Sequence, residues 1–267
     1  MSRGWIRRQD DVFLGRYSGG YFLLAVTMSL SAWNLKNLRS RVRATRSDAD
    51  QVMELISSIS RSVQIFRYHI ATARDALKGI VNETEPQGQE NFMLILGASE
   101  RQGEFAYAKI VSEAHIIGCL HTVRSLWDLF AQLVNTLVLV EPLAVSACDI
   151  KRVIAVMPAC PLKDRLDVLL ASHWYTYVAA FINTTKHRQF VQHMMTVSIE
   201  ENRAGIRIGA FTYGSKSFKS YWGHEVLEGA IEVKNAIIEC GRLLNAAYVN
   251  DDAQPGAAGD APRAARP

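Results

Sequence analysis

Between residues 104 and 140, Ile116, Leu120, Val123, Trp127, Phe130, Val134 and Leu137 recur at steps of three and four. That spacing places them on one side of a long α-helix, which needs an apolar surface to pack against. A second row, His121, Arg124, Asp128, Gln132 and Asn135, follows similar steps on another face. The helix therefore buries one face and carries a polar ridge on another, with Arg124 and Asp128 spaced as an i,i+4 pair. A chain organised around such an element is a helical bundle.

The flanking segments fit that plan. Ser47 to Asp50 is an N-cap cluster that opens a helix over 48–80, with Val52, Leu55, Ile56, Ile59, Val63, Ile65, Phe66, Ile70 and Leu77 on a broad apolar stripe. Asn82 to Gly88 is a loop, and Glu141-Pro142 marks the end of the long helix. A short helix over 149–157, a turn at 158–161 and a helix over 162–186 follow. After Gln192 the period changes to two, in 195–200, 205–211 and 216–222, with turns at 202–205 and 213–215. A last helix spans 224–249. The predicted fold is mainly α: an up-and-down helical bundle with a small three-stranded antiparallel β-meander, residues 194–222, inserted before the last helix. The helical domain is assigned to 47–249, and the Ala/Gly/Pro-rich tail, 250–267, is read as disordered.

Charge is unevenly spread. Residues 1–46 form a basic N-terminal extension carrying +7, whereas the whole chain of 267 residues carries +4, so the remainder is mildly acidic. The overall basicity is thus a poor argument for nucleic-acid binding by the folded domain. Lys36 to Arg46 reads as a solvated basic linker, or as a contact for phosphate or an anionic membrane face. Cys119, Cys148, Cys160 and Cys240 stand far apart, without metal-ligand spacing. They read as free thiols of a reducing cytoplasm, and no metal or cofactor is expected. Residues 17–35 are uncharged, but their compact apolar core is about 10 residues, half of what a spanning helix needs. A helix packed on the domain is the main reading of this segment, and a membrane anchor for an accessory protein is the other.

Candidate chemistry concentrates at the end of the 162–186 helix. Asn183, Lys186, His187, Arg188 and His193 crowd into eleven residues. Basic side chains in a last turn suit the negative end of the helix dipole, which gives a purely structural reading. The functional reading rests on Arg188-x4-His193. A histidine beside an arginine can move protons at a 2′-hydroxyl and a leaving 5′-oxygen of RNA, while the guanidinium stabilises charge developing on phosphate. Chance alone expects one or two such spacings in a chain of this composition, so position at a bundle helix end is what gives this one weight. Asn183, Lys186 and His187 form an alternative set. Asp128 is placed to orient Arg188 or His187, or to form a structural salt bridge.

A long helix of the type Glu113 to Asn135, followed by a helix ending in Asn183-x-x-Lys186-His187-Arg188, resembles the HEPN superfamily, especially its poorly characterised bacterial branches. The resemblance covers about residues 104–193. It implies a helical bundle that forms homodimers. In many members it also implies a metal-independent ribonuclease of toxin–antitoxin or phage-defence systems, acting through Arg-x4-6-His at the dimer cleft. Here that motif falls on Arg188 and His193. The implied partners are a second copy, RNA, and an antitoxin or defence protein. Non-catalytic branches of the superfamily imply the alternative, an interaction or scaffold module.

Overall fold

The computed structural model describes residues 33–249. Most of the 17–35 segment and the 250–267 tail lie outside them. The chain starts with α1 (Leu35–Thr45), capped by the Asn34 side chain, which accepts from the Asn37 amide at 3.0 Å. Leu38 and Val42, four residues apart, are fully buried. Ahead of the helix, the Trp33 indole donates to Asn245 Oδ1 at 3.0 Å and meets Phe130 edge-on. The folded body therefore begins before residue 47. The arginine-rich stretch up to Arg46 is a packed helix rather than a solvated linker, because two apolar residues at helical spacing anchor it while Lys36 and Arg43 stay exposed.

The centre of the bundle is α2 (Ala49–Asp75) against α4 (Gln102–Val138). They run antiparallel: His69 meets His115, and beyond the end of α2 the Arg101 guanidinium donates to the Gly79 carbonyl at 2.7 Å. The anticipated apolar stripe of α4 is buried throughout, from Ile116 to Leu137. Between the two lies α3 (Gln89–Leu96), which periodicity did not reveal. Asn91 is fully buried there and ties down the preceding loop, bonding to both the amide and the carbonyl of Asn82.

The short α5 (Ile150–Val156) is capped by Asp149, which accepts from the Lys151 and Arg152 amides. The expected single helix over 162–186 is two, α6 (Pro161–Ala171) and α7 (His173–His187). Ser172 separates them in extended conformation (φ −67°, ψ 148°), and its hydroxyl accepts from the Tyr175 amide at 3.3 Å. A serine that caps a new helix start breaks the chain direction without breaking the apolar pattern.

The β region is a three-stranded antiparallel sheet of β1 (His193–Ser198), β2 (Arg203–Ile208) and β5 (Tyr221–Trp222), in the order β1-β2-β5. A separate hairpin, β3 (Phe211–Tyr213) with β4 (Lys216–Phe218), interrupts it, so the third period-two stretch is shared between two sheets. The last helix, α8 (Gly223–Val249), packs Val226, Ala230, Val233, Ile237 and Leu244 into the common core. No helix among the described residues is long and apolar enough to cross a membrane.

Candidate functional site

The polar ridge of α4 divides by role. Asn135 is buried and holds the loop after the helix, donating to the Leu143 carbonyl at 3.0 Å and accepting from its amide at 2.8 Å. Gln132 donates to the Val145 carbonyl at 3.2 Å. The remaining three residues, His121, Arg124 and Asp128, face α7. Arg124 forms its anticipated ion pair with Asp128. Burial, and then the Lys186 ammonium, hold the His121 imidazole below its usual range.

Beside Arg124 opens a cleft of about 390 Å³. Its floor is one face of α7, Thr176, Ala179, Ala180 and Asn183, whose spacing of three, one and three aligns them on the helix. The small side chains create the hollow. Lys151 of α5 and Lys216 of β4 line it together with Arg124. Neither lysine makes an ion pair among the described residues. Tyr175 is buried at its edge, and burial pushes the pKa of its hydroxyl up against the opposing pull of Arg124. Three cations and no carboxylate line the cleft, while two carboxylates at its edge, Asp128 and Asp149, are each paired with an arginine, so the lining is positive and suited to an anion.

The six residues singled out from the sequence separate. Asn183 lines the cleft, and Asp128 bonds to one of its cations. Arg188 ends α7, exposed, with its guanidinium 4.9 Å from the ring centre of Tyr213, another lining residue. Lys186 and His187 are exposed in the last turn. His193 is different: it is 5% exposed and belongs to the core side of β1. Its Nδ1 donates to the Val191 carbonyl at 3.0 Å and stands 3.5 Å from the Glu113 carboxylate. Its Nε2 is buried without a hydrogen-bond partner. Burial holds this imidazole below its usual range, Lys109 adds to that, and Glu113 and the Val191 carbonyl oppose it. Arg188 and His193 thus face different partners, and His193 does not stand open to a substrate in the single chain.

Sequence reasoning missed Lys151, Tyr213 and Lys216, which reach the cleft from separate segments. It also missed an exposed contact between Arg203 Nη1 and His224 Nε2 at 3.3 Å, at a second cavity of about 320 Å³ that His224 lines with Arg74 and Ser112. Twenty-one residues separate that pair, beyond any local motif. The chain matches no protein-family model, no curated protein and no solved structure.

Proposed function

We propose that the chain is a non-catalytic, HEPN-like interaction module that takes the phosphate backbone of RNA at the cleft between α4 and α7. What supports this reading is the parting of Arg188 and His193: the arginine stays beside a cationic cleft, while the histidine is packed against Glu113 and Val191. Lys151, Lys216 and Arg124 then position phosphate, with Asn183 as a neutral donor, and nothing in this arrangement moves a proton at the 2′-hydroxyl. Homodimerisation, a cytoplasmic setting and a defence or toxin–antitoxin partner belong to the same proposal. Fluorescence anisotropy of a short labelled RNA tests it. Binding should weaken steeply with salt and fall roughly fivefold or more in a Lys151→Ala/Lys216→Ala double variant. Binding unchanged by that variant contradicts the cleft.

A second reading, metal-independent cleavage, is favoured by one observation, the exposed Arg203–His224 contact. It requires cleavage in a chelator that persists in Arg188→Ala and is lost in His224→Ala.

A further inference from the structure

We propose that His69 and His115 form a two-histidine chelate for a divalent first-row transition ion of the zinc, nickel or copper type, clamping α2 to α4. The two Nδ1 atoms lie 3.1 Å apart, one on each helix of the central pair. Two imidazole nitrogens at about 2.05 Å from a shared ion are about 2.9 Å apart at a right angle and about 3.3 Å apart at the tetrahedral angle. The observed separation falls between those limits, so an ion can enter without either helix moving.

Without an ion, one Nδ1–H donates to the other Nδ1. With an ion, the donor ring carries its proton on Nε2 instead, and two neutral rings present lone pairs to the metal. Both rings are half-buried and open to solvent on one side. No third His, Cys, Asp or Glu among the described residues completes a ligand group, so water fills the remaining positions. Imidazole as the sole protein ligand selects zinc, nickel or copper over magnesium or calcium.

The surroundings hold the rings in place. A Cβ at Gly118 would stand 2.5 Å from His69 Cε1 and 2.8 Å from Nδ1, so only glycine lets this ring lie on α4. A glycine inside a helix is unfavourable against alanine, and ring placement explains its presence here. Tyr68 packs edge-on against His115, with ring centres 5.4 Å apart.

Isothermal titration of the full chain with zinc chloride alone, beside thermal melts with and without zinc, tests the site. One zinc ion per chain should bind and raise Tm, and magnesium should do neither. His69→Gln and His115→Gln should each weaken zinc binding roughly tenfold or more. Gly118→Ala, which keeps both histidines but displaces one ring, should weaken it too, with its circular dichroism checked against wild type. Zinc binding of equal affinity in both glutamine variants overturns the proposal, because it assigns the ion to other histidines. No binding in the wild type also overturns it.

Discussion

His193 on β1 places Nδ1 3.5 Å from the Glu113 carboxylate on α4, while the same nitrogen bonds to the Val191 carbonyl. The contact joins the first strand of the sheet to the longest helix, so the histidine acts as a tie between the β region and the bundle. Its ring also meets Phe181 edge-on, 6.4 Å between centres.

A pH effect follows. Burial lowers the folded-state affinity of His193 for a proton, whereas the unfolded chain binds one near pH 6.5. Below that pH the unfolded state takes up the proton first, so its contribution to stability is full above pH 6.5 and is lost as pH falls toward the depressed folded value. Urea unfolding at pH 7.5 and 5.5 should show a loss of stability that is smaller in His193→Leu. An equal loss in both chains contradicts the assignment of His193 as a buried neutral group.

Arg188 and His193 should also differ in structural cost. Arg188→Ala removes an exposed stacking contact on Tyr213 and should cost about 0.5–1 kcal/mol or less. His193→Ala removes a buried ring and leaves the Val191 carbonyl without its donor, at a cost of about 1–3 kcal/mol. Denaturant midpoints of the two variants check this order.

Two glycines of α8 make room for indole rings. A Cβ at Gly229 would lie 2.1 Å from Trp174, and one at Gly241 would lie 2.2 Å from Trp33. Gly229→Ala and Gly241→Ala should each destabilise by about 1–3 kcal/mol through overpacking. Gly103, at the start of α4, has nothing within 4 Å of such a Cβ. There, alanine should stabilise by up to about 1 kcal/mol through helix propensity. Thermal melts of the three variants should separate in sign.

The α4 stripe and its polar ridge were legible because a fully buried helix face must repeat at three and four, as Ile116 to Leu137 do. The Ser172 break was not, because Leu170 and Trp174, four apart, keep the same rhythm across it and one capping hydroxyl leaves no periodic trace. In α1 the arginines hid the helix, and only the spacing of Leu38 and Val42 betrays it. At the site, Asn183 alone of the six lines the cleft, and Asp128 stands behind it only through its ion pair with Arg124. The burial of His193 depends on Glu113, eighty residues earlier, and the cleft needs Lys151 and Lys216 from different elements. A motif spacing carries none of that. Gly118, Gly229 and Gly241 stand inside helices for rings that come from other elements, His69, Trp174 and Trp33, and no local pattern carries that.

In the reading proposed above, Arg188 and His193 are not a cutting pair. Purified wild-type chain and Arg188→Ala are incubated with structured RNA in a chelator, and the RNA is resolved on a denaturing gel over time. Intact RNA is expected in both samples, while the wild type still retards the RNA on a native gel. Cleavage by the wild type that Arg188→Ala abolishes would contradict that reading and return His193 to the active site.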